Sequence, residues 1–596
     1  MCGIFGYFGP QNNAAQMALE GLKNLEYRGY DSWGIACKIG NHLEVERHVG
    51  KISDAKALKP DITQHPNHIA IGHSRWATHG GVTEKNAHPH LSQDNKVAIV
   101  HNGIIENYAE LREELKGFGY KFRSETDTET VAHLIEYFMD HGNHSFVDSF
   151  SMALKRLEGR YALLAIHRDE KTLIAARKGS PLIVGIGALD NEYFIGSDVP
   201  AFLEHTNRVM YLDDNQMVVI KKAGATFSDT RTDEKVERRV VELTLNIEKA
   251  EKGSYSHFML KEIMEQKNTL SLAINQDPAL IQKMAKAIKN AYGTFMIGCG
   301  TAGKVAQTGE YLFSRIAKKH INFTFGSEFA YHKEFLTDRS LLICISQSGE
   351  TADTLEAIEV ARDKGVKIAS IVNVESSTMA RVSDIVLPIK AGPEKAVAST
   401  KATTSQLAIL TLLAYATAGK LAEGEQLLVA TAGKINDMLN PRYEDHIRAL
   451  ADKIMHVESM YIIGRGLNYP IALEAAIKLQ EVSYIHAEGF AGGELKHGPI
   501  ALISEGTPCI AIVANDETRA DILSNAMEIK SRGGPLIGVS PENSEIFDDW
   551  IRVPDAGNAS PIVNIIPIQI LAYHLGVLRQ NNPDMPRNLA KSVTVK

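Results

Sequence analysis

The second residue of the chain is a cysteine, and it precedes a glycine-punctuated apolar stretch, residues 3–9 with the sequence GIFGYFG. This stretch is too short for a secretory h-region and has no basic segment before it, so it predicts a buried strand. If Met1 is removed, Cys2 carries a thiol and a free α-amino group. Because an unperturbed α-amine titrates at about 7.7–8.0, it can accept the thiol proton near neutral pH. Cys2 is therefore a candidate N-terminal nucleophile, and the alternative is an ordinary buried cysteine.

Three polar clusters contain the groups that an amidase acting on a free amino acid requires, and they span residues 73–80, 101–103 and 124–129. Arg75 supplies a bidentate cation for a carboxylate, and Asp127 supplies an anion for an ammonium group. The Asn102 side-chain amide and the Gly103 backbone N–H supply two donors for an oxyanion. Together these groups predict cleavage of an amide bond by Cys2.

Each cluster also has an ordinary structural interpretation. Ser124 is a suitable N-cap for a following helix, with Asp127 compensating the helix dipole. Asn102 and Gly103 together are typical of a turn, and Trp76 is typical of a core. The prediction of a site therefore depends on the three clusters occurring together.

The elements that must position these groups are short β-rich runs, at residues 69–72, 97–100, 162–166 and 218–220. Helical patterns interrupt them at residues 14–27, 105–116 and 127–141. This alternation predicts an α+β layout for about the first 245 residues, with strands packed on strands and helices outside.

The second half of the chain contains an internal repeat at an offset of roughly 170 residues, long enough for each copy to be a domain. The runs that correspond are 295–300 with 461–466, 341–346 with 508–513, and 369–373 with 535–540. Apolar strands that alternate with amphipathic helices indicate parallel sheets covered on both faces. We therefore expect two doubly wound α/β domains.

The two copies differ after their second strand. Copy one has the hydroxyl-rich loop 346–351, SQSGET, whereas copy two has the acidic loop 514–518, ANDET. Hydroxyls and a glycine at a helix N-terminus favour phosphate binding, and acids disfavour it. Copy one is therefore the predicted phosphate site, supported by a second hydroxyl-rich loop, 397–401. The alternative is a simply capped helix start.

Copy two contributes different chemistry. Lys478 and Glu481 are three residues apart in a helical run, and His497 follows shortly. A lysine, a carboxylate and a histidine near a sugar phosphate can open the ring, form an imine and move a proton between adjacent carbons. The alternative is a surface ion pair with a loop histidine, followed by a frayed polar tail, 587–596.

Composition excludes several classes of function. The chain has 596 residues, enough for two to four domains, and its net charge of −8 argues against a nucleic-acid-binding surface. No run of about 18 apolar residues predicts a membrane span. The five cysteines lie far apart, which indicates neither a disulfide framework nor a zinc site, and predicts a cytoplasmic protein.

The N-terminal motifs resemble the class II glutamine amidotransferase domain, an N-terminal-nucleophile (Ntn) hydrolase, and they lie at residues 2–6, 27–32, 73–80, 101–107 and 124–128. The resemblance implies an αββα sandwich of two sheets. It also implies Cys2 as nucleophile, with Asn102 and Gly103 holding the oxyanion. The glutamine-binding residues that it implies are Arg75, Trp76, Thr78, His79 and Asp127.

The two repeats resemble sugar isomerase (SIS) domains, each a doubly wound parallel-sheet α/β domain. Together with the motifs at 299–301, 346–354, 397–401, 478–499 and 588–595, the whole chain resembles the glutamine–fructose-6-phosphate aminotransferase (isomerising) family. That resemblance implies conversion of glutamine and fructose 6-phosphate to glutamate and glucosamine 6-phosphate, the first step of amino-sugar synthesis. Ala302 stands where the family usually has a serine at the sugar site.

The resemblance also implies roles for single residues. His497 assists ring opening from a neighbouring subunit of a homodimer with a shared isomerase site, Lys591 forms the Schiff base, and Glu481 moves a proton from C1 to C2. Lys478 stabilises charge near the sugar oxygens. The implied sugar-phosphate contacts are Thr301, Ser346, Gln347, Ser348, Thr351, Val397 and Ser399. No metal or organic cofactor is expected, because the imine itself serves as the electron sink.

The expected domain bounds are 2–240 for the glutaminase, 241–253 for a linker, 254–430 and 431–586 for the SIS domains, and 587–596 for a C-terminal tail acting as a lid. The resemblance further implies an internal ammonia channel gated by Trp76. Two rival interpretations stay open at this point: another class II amidotransferase, and a non-catalytic sugar-phosphate sensor built on SIS domains.

Overall fold

The computed structural model describes residues 2–142, 144–243 and 252–594. The chain divides into two compact units, Met1–Glu248 with Ser592–Lys596, and Lys249–Lys591. Met1, most of the predicted linker 241–253 and the last two residues of the predicted tail lie outside the described residues.

The first unit is rich in strands. These are β1 (Gly3–Phe8), β2 (Ser32–Ile39), β3 (His42–Val49), β4 (Ile69–Arg75), β5 (His90–Leu91), β6 (Val97–Ile105), β7 (Gly159–His167), β8 (Leu173–Lys178), β9 (Ile183–Ile186), β10 (Tyr193–Gly196), β11 (Arg208–Tyr211), β12 (Gln216–Lys221), β13 (Gly224–Asp229), β14 (Lys235–Val236) and β15 (Val241–Glu242). Its helices are α1 (Ala14–Asn24), α2 (Pro60–Thr63), α3 (Tyr108–Gly117), α4 (Thr128–Gly142) and α5 (Phe146–Leu154).

These strands form two antiparallel sheets over the described residues of the unit, in the orders β15-β11-β9-β10-β1-β4-β2-β3 and β14-β13-β12-β8-β7-β6-β5. One apolar cluster joins the inner faces of both sheets. A second joins α1 to the outer face of the first sheet, and a third joins α3, α4 and α5 to the outer face of the second. This arrangement confirms the predicted αββα sandwich.

Strand β1 shows how its sequence sets this arrangement. Its side chains alternate, so that Ile4 packs between the sheets while Phe5 and Tyr7 pack in the cluster that contains α1. A Cβ on Gly6 would lie 2.6 Å from the Leu164 Cδ2 of the second sheet, so a larger residue would force the Leu164 side chain to move. The residue that precedes β1 is thereby held at the end of a central, buried strand.

The second unit alternates strands and helices. Its strands are β16 (Gly293–Gly298), β17 (Asn322–Phe325), β18 (Ser340–Ser346), β19 (Lys367–Val372), β20 (Ile385–Pro388), β21 (Ser459–Gly464), β22 (His486–Ala491), β23 (Cys509–Ile512), β24 (Leu536–Ser540) and β25 (Asp549–Arg552). Its helices are α6 (Phe258–Met264), α7 (Gln266–Ile274), α8 (Pro278–Asn290), α9 (Gly300–Leu312), α10 (Ala352–Asp363), α11 (Thr378–Arg381), α12 (Lys401–Thr417), α13 (Leu421–Met438), α14 (Pro441–Ile454), α15 (Tyr469–Ser483), α16 (Arg519–Lys530) and α17 (Ser560–Leu578).

The strands of this unit form two parallel sheets, in the orders β17-β16-β18-β19-β20 and β22-β21-β23-β24-β25. The two orders are equivalent, which confirms the predicted repeat of doubly wound domains. In such sheets ligands bind at the carboxyl ends of the strands where the winding reverses. In the first sheet that point lies between β16 and β18, and the loops that follow these strands are 299–301 and 346–351.

Helix α17 is long and apolar enough to cross a membrane, although the sequence predicts no such span. Within Gly557–Leu578, an apolar stretch of 18 residues is 89% buried inside the protein. The helix packs in the large apolar cluster that also contains α12, α15 and strands of both parallel sheets. Burial therefore explains its apolar composition as that of a core helix.

Candidate active sites

Cys2 lies immediately before β1, and its side chain lines a pocket in the first unit. Its Sγ accepts a hydrogen bond from the Trp76 backbone N–H at 3.2 Å, and its thiol donates to the Trp76 carbonyl oxygen at 3.5 Å. Burial raises the pKa of the Cys2 thiol, although the Trp76 N–H and the Arg75 guanidinium oppose this rise. The thiol is therefore protonated at neutral pH and needs a base in order to react.

The pocket brings most of the predicted glutamine-site residues together. The predicted residues that line it are Cys2, Arg75, Trp76, Thr78, His79, Gly103 and Asp127. Trp76 is half-buried in this lining, so the interpretation of it as a core residue is wrong.

Asn102 and Gly103 lie inside strand β6, which pairs with β7 along its whole length, so the interpretation of them as a turn is wrong. The Asn102 amide Nδ2 donates to the Cys2 carbonyl oxygen at 2.9 Å. Gly103 has a φ of +125°, and a Cβ there would lie 2.0 Å from the Arg160 carbonyl oxygen. A glycine is therefore required where this strand passes the pocket.

Arg75 ends strand β4, and its side chain is almost wholly buried. Its guanidinium donates to the backbone carbonyls of His79, Gly80 and Gly81, the last two at 3.2 Å. These bonds hold the loop that places Thr78 and His79 at the pocket. Arg75 thus shapes the wall of the pocket as well as lining it.

Asp127 directly precedes helix α4, and its Oδ2 accepts the Ile105 backbone N–H at 2.9 Å. Because α4 begins at Thr128, Ser124 is too far upstream to be its N-cap. The Ser124 hydroxyl instead donates to the Glu129 carboxylate at 2.7 Å. The position of Asp127 at the helix N-terminus is compatible with both the dipole and the ligand interpretation.

The sequence interpretation gave no role to four buried histidines near this site: His73, His88, His90 and His101. His88 and His101 line the pocket, and His73 and His90 contact His88. The His73 and His88 rings stack with centroids 4.1 Å apart, and His90 lies edge-on to His88. Burial lowers the pKa of each ring, so the cluster is neutral. In the described part of the chain, no group of three or more His, Cys, Asp or Glu side chains is arranged to hold a metal ion. The sequence signal for this cluster was the occurrence of histidines on β4, β5 and β6 and just before β5.

The predicted phosphate loop follows strand β18 at the winding reversal of the first parallel sheet. The Ser346 Oγ accepts the Gly349 N–H at 2.9 Å, and the Ser348 Oγ accepts the Glu350 N–H at 3.2 Å. Thr351 precedes α10, and its side chain makes no capping hydrogen bond to the helix, so the simple capped-helix interpretation does not describe this loop. The loop carries the predicted contacts Ser346, Gln347, Ser348 and Thr351.

Replacement of Gly349 by alanine should weaken binding of a sugar phosphate at this loop. Gly349 has a φ of +68°, and a Cβ there would lie 2.1 Å from the Ser377 Oγ. The left-handed conformation costs alanine about 1 kcal/mol, and the contact forces the loop to move as well. We expect the affinity for fructose 6-phosphate, measured by titration calorimetry, to fall at least about tenfold, or about 1.4 kcal/mol.

The control is Gly419→Ala, because Gly419 has a φ of +76° and nothing within 4 Å of its Cβ position. This variant tests the backbone strain without the steric contact, at a loop far from the predicted ligand contacts in sequence. Unchanged affinity in Gly349→Ala, or an equal loss in both variants, would contradict the assignment of the loop.

A buried carboxylate that the sequence interpretation missed joins the two SIS domains. The Thr301 hydroxyl on α9 donates to the Glu474 carboxylate on α15 at 3.1 Å. Lys478 lies 3.5 Å from Glu474 and 2.5 Å from Glu481. Lys478 is fully buried, so the surface ion-pair interpretation is wrong. Burial acts to lower the pKa of Lys478, but Glu481 and Glu474 together raise it above its ordinary value.

Lys591 forms a second buried ion pair, with Glu394, whose side chain is fully buried, at 2.5 Å. The Glu394 carboxylate also accepts the backbone N–H groups of Thr400 and Ala402, at the start of α12, and the Ser399 hydroxyl. Burial acts to raise the pKa of Glu394, but Lys591 and these donors lower it. Glu394 thus contacts both Lys591 and the second hydroxyl-rich loop. Its only sequence signal was its place three residues before that loop.

Glu394 also acts to raise the pKa of Lys478, after the larger effects of Glu481 and Glu474. Val397 lies in the same loop as Ser399, and its N–H donates to the Asp584 carbonyl oxygen at 3.0 Å. His497 is exposed in the 3-10 turn Leu495–His497. Its action from a neighbouring subunit stays a prediction.

The free energy of unfolding should decrease as pH rises, because Glu474 loses a proton in the folded chain. Burial raises the pKa of this carboxyl to about 7, against its ordinary 4.5, and Lys478 only partly offsets the rise. Between these values the folded chain binds more protons than the unfolded chain, so the free energy of unfolding decreases as pH rises. We expect the thermal midpoint to fall more between about pH 5 and about pH 8 in the wild type than in Glu474→Gln, by at least about 2 °C.

The matched control for this measurement is Glu488→Gln, which removes a half-buried carboxylate paired with His486 at 2.9 Å. It should keep the wild-type dependence on pH. An equal fall of the thermal midpoint in wild type and Glu474→Gln would contradict this prediction. It would show that Glu474 is already ionised in the folded chain at the lower pH of the measurement.

Comparison with family models identifies both halves of the chain. A glutamine amidotransferase domain matches residues 73–204, and the SIS domain matches twice, at residues 287–416 and 453–578. These matches fall on the αββα sandwich and on the two parallel sheets, respectively.

Comparison with known proteins covers the full length. The chain is 44% identical over 604 residues to the glutamine–fructose-6-phosphate aminotransferase [isomerizing] of Pyrococcus horikoshii, and 40% identical over 614 residues to that of Thermus thermophilus. In both cases 100% of each chain is covered. Among solved structures, the C-terminal domain of glucosamine-fructose-6-phosphate aminotransferase from Francisella tularensis aligns with a TM-score of 0.52 and 34% identity, over 56% of this chain and 100% of that one. The chain therefore belongs to the glutamine–fructose-6-phosphate aminotransferase (isomerising) family.

Proposed function

We propose that this protein converts glutamine and fructose 6-phosphate to glutamate and glucosamine 6-phosphate. The observation that carries the proposal is the full-length match to relatives of that name, on a chain in which both halves retain a built site. An amidase pocket without a sugar site would support only glutamine hydrolysis. Paired SIS domains alone would support only sugar-phosphate binding or isomerisation.

In the first unit, Cys2 attacks the side-chain amide carbon of glutamine. The thiol proton passes through the α-amine of Cys2 to the departing ammonia, which requires removal of Met1. Asn102 and Gly103 donate to the oxyanion, and water then cleaves the thioester to release glutamate. The contact between Cys2 and Asn102 supports this assignment.

The substrate amino acid is held by its two charged ends. Arg75 binds its carboxylate and Asp127 its ammonium group, and both line the pocket with Cys2. The half-buried Trp76 and His79 and the exposed Thr78 complete the wall around the side chain.

In the second unit, the phosphate of fructose 6-phosphate binds the loop that contains Ser346, Gln347, Ser348 and Thr351. Thr301, Val397 and Ser399 contact the sugar from the neighbouring loops. Their support is the position of the three loops at the carboxyl ends of β16 and β18 and at the start of α12.

The isomerisation uses the two buried ion pairs. His497 assists ring opening, and the Lys591 amine condenses with the C2 carbonyl of the open ketose to form an imine and release water. Ammonia then displaces the lysine. Glu481 moves a proton from C1 to C2, with Lys478 stabilising negative charge on the sugar oxygens.

The proposal extends to assembly and organisation. A homodimer would supply His497 from the second subunit, and the tail 587–596 would close over the site during ammonia transfer. The domain bounds expected from the sequence and a cytoplasmic location belong to the same proposal.

The test is an assay of the purified full chain with glutamine and fructose 6-phosphate. Glutamate and glucosamine 6-phosphate should appear in equal amounts, and intact mass should show loss of Met1. Glutamate without amino sugar would indicate another class II amidotransferase. Binding of fructose 6-phosphate without either product would indicate a sugar-phosphate sensor, and both results would overturn the proposal.

A further inference from the structure

His73 is buried next to the proposed glutaminase site but does not line its pocket. It belongs to β4 of the first sheet, its side chain is fully buried, and it is absent from the described residues that line the pocket. Its ring reaches the second sheet, where its Nε2 lies 2.9 Å from the His101 carbonyl oxygen and 3.1 Å from the Asn102 Oδ1. His73 therefore bridges the two sheets directly behind Asn102.

These contacts determine which nitrogen of His73 carries hydrogen. A backbone carbonyl can only accept, so the nitrogen facing the His101 carbonyl, Nε2, must be the N–H. The same N–H also faces the Asn102 amide, and the nearer amide atom must therefore be the oxygen. The other amide atom, Nδ2, then points to the Cys2 carbonyl at 2.9 Å, which also requires a donor. The contact with His73 and the contact with Cys2 therefore require the same orientation of the Asn102 amide.

We infer that His73 is a positioning residue, which fixes the orientation of the Asn102 side-chain amide and thereby the oxyanion donor beside Cys2. The inference rests on the proposed function of the first unit. An amide nitrogen has two N–H groups, so Asn102 can hold the Cys2 carbonyl with one and donate to an oxyanion with the other. A flipped amide would set its oxygen against the Cys2 carbonyl oxygen, and the oxyanion would lose a donor.

The surroundings of His73 keep this arrangement rigid. Its ring stacks on His88, and burial lowers its pKa well below the ordinary value, so the ring is neutral. Neighbouring Arg75 acts in the same direction. A neutral ring with its hydrogen on Nε2 cannot turn without losing two hydrogen bonds inside the protein, which is costly.

The test compares His73→Leu with His73→Gln in the full chain. Leucine fills the space but donates nothing, whereas the glutamine amide can place an N–H near the position of Nε2. For His73→Leu we expect kcat of glutamine hydrolysis to fall about 10- to 100-fold, with KM for glutamine within about threefold, because oxyanion donors act mainly in the transition state. His73→Gln should recover most of the kcat.

A second measurement separates positioning from general damage. An analogue of glutamine with a γ-aldehyde adds to the Cys2 thiol and forms a tetrahedral oxyanion, whereas glutamate forms none. His73→Leu should weaken inhibition by the aldehyde in proportion to kcat and leave inhibition by glutamate unchanged. His167→Gln, at another buried histidine of the same unit, should alter none of these values.

The possible failures are distinguishable. If the wild type does not hydrolyse glutamine, the proposed function fails. If the wild type is active and His73→Leu keeps its kcat, or loses affinity for glutamate as much as for the aldehyde, the positioning role is wrong. Should His73→Leu not fold, His73→Asn serves instead, since its amide is too short to reach Asn102, and wild-type kcat in that variant would overturn the inference.

Discussion

Replacement of Cys2 by alanine should lower glutamine hydrolysis and glutamine-dependent synthesis at least about 10³-fold, because no other group can form the thioester. The substitution removes only a sulfur atom at the end of β1, so the sandwich should fold normally. Synthesis from fructose 6-phosphate and added ammonia should stay within about twofold, since the proposed sugar site lies in the other compact unit. The measurement is the initial rate of glutamate and glucosamine 6-phosphate formation with either nitrogen source.

The matched control is Cys37→Ala, which removes a fully buried thiol from β2 of the same sheet. Cys37 lies in the apolar cluster on the outer face of that sheet, so its loss should affect stability and leave both activities unchanged. Loss of the ammonia-dependent reaction in a folded Cys2→Ala protein would contradict separable sites. Retention of glutamine hydrolysis would remove Cys2 from its role.

Replacement of Glu481 by glutamine should affect the two activities in the opposite way to Cys2→Ala: amino-sugar formation should be lost and glutamine hydrolysis kept. Glutamine keeps the shape of the side chain but cannot accept a proton, so amino-sugar formation should fall about 10²- to 10⁴-fold. Hydrolysis of glutamine should continue at the wild-type rate. The affinity for fructose 6-phosphate, measured by calorimetry, should change little because Glu474 still accompanies the buried Lys478.

Two variants make this result specific. Glu481→Asp keeps a carboxylate and should restore part of the rate, whereas Glu488→Gln removes a carboxylate from the nearby strand β22 and should have no effect. Normal synthesis by Glu481→Gln would exclude Glu481 as the base. A parallel loss of sugar binding would assign it to substrate binding instead.

The sequence predicted the elements of this protein well because their hydrophobic periods are clear. Short apolar runs at β1 and β6 predicted buried strands, and the recurrence of apolar runs at a constant offset predicted two copies of one α/β domain. The polar clusters were recognisable from the sequence as well, because Cys2, Arg75 and Asp127 each occur in a short motif. These features depend only on neighbours along the chain.

The end of strand β6 could not be predicted from the local sequence. The apolar run stops near Val100, and the polar pair Asn102 and Gly103 looks like a turn, yet the strand continues to Ile105. It continues because β7 pairs with it in antiparallel register from Val97 to Ile105, with hydrogen-bonded pairs at alternate positions. Pairing with a distant strand is a tertiary interaction, and it places both proposed oxyanion donors on a rigid element.

What the sequence alone determined is the kind of chemistry, because that depends on residue types in local motifs. What only the tertiary structure decided is which buried groups pair with the predicted site residues. Glu394 and Glu474 lie outside the recognised motifs, and His73 lies in one without an assigned role. Each contacts a partner far along the chain: Lys591, Thr301 and Asn102, respectively. A buried polar group must be paired where burial occurs, and burial is a property of the folded chain.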